Sequence, residues 1–158
     1  MRVLRLLVAL LVMSTLFAPA TAAGGLSPGL LASINGAIAA LNADDAAKIG
    51  AYFTSDAVVI DDAPPYFWTA PNAATHWWGD IDAILAKLKI THLHAMIGTI
   101  TQSSVSANRA YVVVPLVITS QRKGKAHQQT GLWALTLRHT PVGWKIASAA
   151  WARMAMSP

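Results

Sequence analysis

The sequence contains no cysteine and no glutamate, and charged residues make up only 12% of its 158 residues. The absence of cysteine excludes disulfide bonds and a lipid anchor attached through cysteine, so an apolar core must hold the fold together. The 12 lysines and arginines outnumber the 7 aspartates, and the formal net charge is +5. These basic residues are scattered and do not alternate with aromatic residues in a stripe, so we expect no nucleic-acid partner.

The first 23 residues have the pattern of a secretory signal peptide. Arg2 and Arg5 give a basic start, residues 6–18 form an apolar run, and residues 20–22 (Ala-Thr-Ala) offer a small-residue cleavage site. The run is shorter than the ~20 residues that span a bilayer. We therefore expect cleavage, no stable membrane insertion afterwards, and an exported protein that is periplasmic or secreted. The remainder, residues 24–158, has the size of one domain.

Three helices are predicted in the first part of this domain. Ser27 and Pro28 suit the N-cap and the first position of a helix. The apolar residues that follow it at helical spacing are Leu30, Leu31, Ile34, Ile38 and Leu41. A second helix follows residues 42–45, and Ile49, Tyr52 and Phe53 continue its apolar face. Asn72 can cap a third helix that runs to about Lys89. Its wide apolar stripe contains Trp77, Trp78, Ile81, Ile84, Leu85 and Leu88.

Extended segments are predicted on both sides of the third helix. A short strand over Ala57–Asp61 precedes it, followed by a Pro-Pro corner and a second short strand. Four longer β-branched runs come after it, over Thr91–Ser104, Arg109–Ser120, Ala126–Arg138 and Trp144–Met154. Strands joined by short turns pair antiparallel. The sequence therefore predicts an α+β fold, with three N-terminal helices on a strongly curved, mainly antiparallel sheet of about six strands.

Several segments of the sequence resemble one superfamily. They are Ala40-Leu41-Asn42-Ala43-Asp44-Asp45, Tyr52-Phe53-Thr54-Ser55-Asp56-Ala57-Val58-Val59, Ala63-Pro64-Pro65-Tyr66-Phe67-Trp68, Gly131-Leu132-Trp133-Ala134-Leu135 and Gly143-Trp144-Lys145-Ile146-Ala147. Together they resemble the SnoaL-like superfamily, which shares the nuclear transport factor 2 fold, from about Pro28 to Arg153. The resemblance implies a cone-shaped barrel with a deep cavity. It implies no single activity, since the superfamily includes isomerases, cyclases, dehydratases and transport factors.

The ketosteroid isomerase branch of this superfamily offers a comparison for the site. In that branch a carboxylate at the end of the first strand moves a proton, and two acidic hydroxyls hold the enolate oxygen. The resemblance places the carboxylate on Asp61, but it places the oxyanion tyrosine on Ile38 and its partner acid near Trp133. The base is thus present and both donors are missing, which argues against a steroid isomerase of that design.

Asp61 also stands out from the residues alone. It closes the apolar run 57–60, and burial raises the pKa of a carboxyl group, so Asp61 could act as a general base near neutral pH. The adjacent Asp62 adds like-charge repulsion, although neighbouring side chains of a strand point to opposite faces. Alternatively, one or both aspartates accept backbone N–H bonds at the Pro-Pro corner. For Asp62 we expect a turn or surface role.

His92 and His94 are the candidate acids that could work with Asp61. They lie two residues apart on a predicted strand and would therefore share one face. This spacing can present two metal ligands, but it also suits hydrogen-bonding groups of a pocket or ordinary polar positions of a strand. We predict no metal site and no cofactor. His127 and His139 flank turns and are expected to be solvated.

The side chains predicted to contact a ligand are mostly aromatic. They are Tyr66, Trp68, Trp77, Trp133 and Ser148. For Trp77, packing in the core is the alternative. The last strand alternates Ser148, Ala150 and Ala152 on one face with Ala147, Ala149 and Trp151 on the other. If the first set points inward, the pocket is roomy and mostly apolar, with Ser148 as a weak polar contact.

Three functions remain open from the sequence. The first is an exported protein that binds a small apolar or aromatic molecule. The second is a cofactor-independent isomerase, cyclase or dehydratase with Asp61 as its base, and the third is an interaction module that docks a partner on its sheet. The strand that contains Tyr111 and Val113 is apolar on both faces, so we also expect a homodimer that covers the outer face of the sheet.

Overall fold

The computed structural model describes residues 25–157, and the predicted signal peptide lies outside them. The elements in chain order are α1 (Pro28–Asn42), α2 (Ala46–Gly50), β1 (Phe53–Ile60), β2 (Phe67–Trp68), α3 (Ala73–Leu88), β3 (Ile90–Ile97), β4 (Gln102–Ser106), β5 (Arg109–Arg122), β6 (Lys125–Thr140) and β7 (Gly143–Ser157). Within this part of the chain, no helix combines the length and the apolar character that crossing a membrane requires.

The three helices lie where the sequence predicts them, with one difference in length. The Ser27 hydroxyl accepts a bond from the Leu30 N–H at 3.3 Å and so caps α1. The Asp45 carboxylate caps α2, which ends after five residues. The prediction that Tyr52 and Phe53 continue the apolar face of this helix was wrong, because Tyr52 follows its last residue, Gly50, and Phe53 opens β1. Asn72 precedes α3 in a left-handed conformation and makes no side-chain cap bond.

The strands form one sheet in the order β2-β1-β7-β6-β5-β3, with β4 also paired to β5. Every pairing is antiparallel except that of β1 with β7, which is parallel. The predicted α+β fold, with helices on a curved and mainly antiparallel sheet, is confirmed. The single strand predicted over Thr91–Ser104 is instead two strands, β3 and β4, which lie along the same edge of β5 and are interrupted at residues 98–101.

The core lies between the helices and the inner face of the sheet. Its largest fully buried side chains are Leu30, Ile34, Ile49, Leu135, Leu137, Ile146, Val59, Val112 and Val114. On β5 the inner residues Val112 and Val114 are buried, whereas Tyr111 is 40% exposed and Val113 is partly exposed. Residues 25–157 therefore bury the inner face of β5 and leave its outer face partly open to solvent.

Candidate functional site

A cavity of about 390 Å³ opens between α3 and the inner face of the sheet. This volume is within the usual range for small-molecule sites, ~300–1,000 Å³. The helix contributes the apolar side chains Trp77, Ile81, Ile84, Leu85 and Leu88. The sheet contributes Leu93, Leu116, Ile118, Trp133 and Trp151. The apolar stripe of α3 thus forms one wall of the cavity along most of its length.

Aromatic rings close the inner end of the cavity. The rings of Trp77 and Trp133 stack with their centroids 6.4 Å apart, and Trp78 meets Trp77 edge-on at 5.7 Å. Phe53 also packs against Trp133, with the ring centroids 6.5 Å apart. Each of these four side chains is at most 7% exposed. Trp77 and Trp133 therefore belong both to the core and to the cavity wall. For Trp77, packing in the core does not exclude a position in the wall.

Asp61 lies in the cavity wall directly after β1. Its Oδ2 accepts a hydrogen bond from Trp77 Nε1 at 3.0 Å, and its Oδ1 accepts one from the Ala63 backbone N–H at 3.0 Å. Burial raises the pKa of the Asp61 carboxyl, the bonds from Ala63 and Trp77 act in the opposite direction, and the Asp62 charge adds to the rise. The carboxyl group both caps its own turn and lines the cavity.

Asp62 and Arg153 form an ion pair at the rim of the same cavity. Arg153 Nε donates to Asp62 Oδ2 at 2.6 Å, and both side chains line the opening. About a third of each side chain is exposed, so solvent weakens the pair. The ion pair offsets part of the negative charge next to Asp61, which is the more buried of the two carboxylates.

The SnoaL-like domain model matches residues 30–152. The chain belongs to the SnoaL-like domain family. The resemblance found in the sequence is thereby confirmed. Among curated proteins, no sequence matches the chain.

Solved structures of similar fold lie far from this SnoaL-like domain in sequence. A ketosteroid isomerase-like protein from Erwinia carotovora is 17% identical and has a TM-score of 0.62, with 80% of this chain and 94% of that chain covered. A nuclear transport factor 2-like protein from Novosphingobium aromaticivorans is 15% identical, with a TM-score of 0.65 and 77% of each chain covered. A hexachlorocyclohexane dehydrochlorinase is 8% identical and has a TM-score of 0.69, with 82% of this chain and 86% of that chain covered. At such identities the likeness establishes the fold alone.

The structure of the SnoaL-like domain does not bring His92 or His94 to Asp61. Both histidines are exposed, and neither lines the cavity. The register of β3 against β5 shifts by one residue between Thr91 and His94, and His92 has a φ of 54°. This bulge lies between Ile90 and Leu93, which both line the cavity, and it reverses the side-chain alternation so that His92 and His94 do not point inward. Leu93 turns inward between the two histidines instead.

Three of the predicted ligand contacts also lie outside the cavity lining. Tyr66 is 58% exposed in the turn after Asp61. Trp68 is buried, but its Nε1 donates to Asp80 Oδ2 at 2.8 Å, away from the cavity. The hydroxyl of Ser148 lies 2.7 Å from that of Thr136.

The inner face of β7 is the one that carries Trp151. Ala149 belongs to the buried core, and Trp151 lines the cavity. The face that carries Ser148 points away from the cavity, so its small side chains do not create the room that was predicted for the pocket. The room comes from the open end of the cavity, where the side chains of α3 are not covered.

Sequence reasoning missed a polar group of cavity residues on β6. His127 and Gln129 line the cavity, although His127 was expected to be solvated. Both are an even number of residues from Trp133 in the predicted strand, so they lie on the same face as Trp133. This spacing could have identified them from the sequence. Among residues 25–157, no group of three or more histidines and aspartates is arranged to hold a metal ion.

Proposed function

We propose that this SnoaL-like domain binds a small apolar or aromatic molecule in the cavity between α3 and the sheet. The observation that carries the proposal is the cavity itself, with its volume of about 390 Å³ and its largely apolar wall. Ile81, Ile84 and Leu85 are only partly buried, and Leu88 is 39% exposed. A ligand would cover these surfaces, and each square ångström of apolar area removed from water contributes about 25 cal/mol.

Binding can be tested with aromatic and aliphatic probes of graded size, such as naphthalene derivatives. We expect saturable binding by isothermal titration calorimetry and a matching rise in the melting temperature. Ile84→Trp should fill the cavity and weaken binding at least about tenfold, because the added ring occupies the ligand's space. Ala83→Trp is the matched control, since Ala83 lies on the exposed side of the same helix. Binding that survives Ile84→Trp unchanged would place the ligand elsewhere.

A second function, a cofactor-independent isomerase, cyclase or dehydratase, is favoured by Asp61. Its carboxyl lies in an apolar wall and has a raised pKa, which suits a general base. Each oxygen accepts one protein hydrogen bond, and a carboxylate has further lone pairs with which to take a proton from a ligand. A hexachlorocyclohexane dehydrochlorinase has a similar fold, which makes elimination one class of reaction to test.

The base function can be tested by proton exchange at carbon. Bound apolar ketones, such as tetralones, should exchange their acidic C–H protons with D₂O faster in the presence of the protein, as followed by NMR. Asp61→Asn should reduce that rate by about 10²–10⁴-fold while the fold and ketone binding persist. Asp82→Asn is the matched control, because Asp82 is exposed on α3 and does not line the cavity. An equal rate in wild type and Asp61→Asn would exclude the base role.

We also propose that the protein is exported after loss of residues 1–23 and forms a homodimer through the outer face of its sheet. Tyr111 (40% exposed) and Met96 (45%) support the second proposal, since they leave apolar surface uncovered on the outer face of β5 and its neighbour β3. Light scattering should give a dimer that Tyr111→Asp dissociates. A monomeric wild type would instead favour a different partner on this face.

Export can be tested by cell fractionation, which should find the protein outside the cytoplasm.

A further inference from the structure

We propose that the ligand of this cavity is an amphipathic anion, whose apolar body lies against Trp133 and whose carboxylate or similar group lies at the mouth, near Arg122 and His127. This inference rests on the proposed binding function and adds the chemical class of the ligand. It is carried by the arrangement of polar and apolar residues along the wall formed by β5 and β6.

The wall changes from apolar to basic along the paired strands β5 and β6. Successive inward pairs are Val114 with Trp133, Leu116 with Gly131, Ile118 with Gln129, Ser120 with His127 and Arg122 with Lys125. The six steps from Trp133 to His127 correspond to roughly 20 Å of strand. A ligand that fills this length would meet apolar surface at one end and hydrogen-bond donors at the other.

The bulge between β6 and β7 adds to the apolar part of the wall. The register shifts between Thr130 and Gly131, so that Met156 pairs with the inward residue Gln129. Without the extra residue, Met156 would fall on the outer face. Met156 instead lines the cavity. Its flexible side chain gives the mouth an apolar edge that can adapt to a hydrocarbon body.

The charges of the cavity lining are not balanced at the mouth. Asp62 is paired with Arg153, and Asp61 lies at the aromatic end, where it accepts the Trp77 bond. Arg122 makes no ion pair with any residue in 25–157, where the pairs are Arg138–Asp56 and Arg153–Asp62. An anion at this point would meet an uncompensated guanidinium, which presents five N–H donors.

The sequence explains why Arg122 has no acidic neighbour on the sheet. No aspartate or glutamate occurs after Asp82, so β3 to β7 carry only basic charged side chains. Lys123 and Lys125 follow Arg122 in the turn and increase the positive potential at the mouth. The partly buried His127 and Gln129 side chains point into the same space. An anionic group would find donors here, whereas a cationic one would be repelled.

The test compares probes that differ only in the head group: decanoate, 1-decanol and decylamine, each below its aggregation concentration. In calorimetric titrations at low salt, decanoate should bind at least about tenfold more tightly than 1-decanol, and decylamine should bind most weakly. Added salt should reduce the advantage of decanoate, because the Arg122 end of the cavity is open to solvent.

Two variants locate the head group. Arg122→Gln should weaken decanoate binding about tenfold and leave 1-decanol unchanged. Arg109→Gln is the matched control, because Arg109 is the first residue of the same strand and does not line the cavity. Equal affinities for decanoate and 1-decanol, or tighter binding of decylamine, would overturn the anion proposal but leave cavity binding intact. Failure of every apolar probe to bind would overturn the proposed function itself.

Discussion

The two ends of the interior are built from the same sheet face and the same helix, yet one is solid and the other is hollow. At the closed end Trp77 and Trp133 stack, and Leu137, farther along β6, is fully buried. At the open end α3 continues with Ile84 and Leu88, which remain partly exposed. The two halves of α3 therefore differ in what covers them. The first half of the helix completes the core, and the second half leaves apolar surface that the proposed ligand would cover.

The largest effect should come from truncating the closed end. Leu137→Ala should lower the free energy of unfolding by about 2–5 kcal/mol, because it leaves a cavity in fully packed surroundings. Leu88→Ala, at the open end, should cost less than about 1 kcal/mol, since Leu88 is already 39% exposed. Urea unfolding followed by tryptophan fluorescence measures both. Equal losses would contradict the division between the two ends.

A smaller loss is expected where β6 and β7 pack closely beside the cavity. A Cβ atom on Gly131 would overlap the ring of Trp151 and the carbonyl oxygen of Ala152. Gly131→Ala should therefore destabilise the protein by about 1–3 kcal/mol and displace Trp151 from the wall. Gly79→Ala is the control, since nothing lies near its Cβ position on α3, and it should stabilise by about 0.5–1 kcal/mol. Similar effects of the two substitutions in urea unfolding would exclude this account.

The pH dependence of stability should distinguish the partly buried Asp61 carboxylate from the exposed ones. Burial raises the pKa of Asp61 above 3.8 in the folded state, so the folded protein binds this proton more tightly than the unfolded chain. Its contribution to stability is full below pH 3.8 and falls as the pH rises through the folded pKa. Relative to Asp61→Asn, the wild type should therefore lose stability across that window. Urea midpoints of both proteins at a series of pH values test this, and parallel curves would count against it.

The smallest effect, and one of opposite sign, is expected outside the cavity at Asp56. Its hydrogen bond from Arg138, at 2.6 Å, lowers the pKa of the exposed carboxyl below 3.8. The stabilisation is present above pH 3.8 and is lost as the pH falls through the folded pKa. Asp56→Asn should lower stability slightly at neutral pH, and salt should reduce the difference because the pair is solvated. A change as large as that of Leu137→Ala would mean that Asp56 has another role.

The fold was predictable because its signals are local and agree with one another. The Ser27 cap, the apolar stripe of α3 and the long β-branched runs each specify an element over many residues. The position of Asp61 in the cavity wall was predictable because Asp61 directly follows the apolar run of residues 57–60, which is a local signal. Its neighbour Trp77 followed from the stripe of α3.

The prediction that His92 and His94 lie near Asp61 was wrong for a reason that sequence periodicity cannot reveal. A single extra residue near His92 reverses the direction of the side chains on β3, and nothing in the composition of that strand marks it. The ion pair between Asp62 and Arg153 joins residues 91 positions apart. Such a contact depends on the parallel pairing of β1 with β7, which no local pattern determines.

The indole rings in the wall give the protein a built-in optical sensor. Trp77, Trp133 and Trp151 border the cavity, so a molecule that enters would change the polarity around them and shift their emission without any attached label. The indole of Trp77 also donates to Asp61, and titration of that carboxyl should change the same signal. One fluorescence trace could then report both occupancy and the charge of the group beside it.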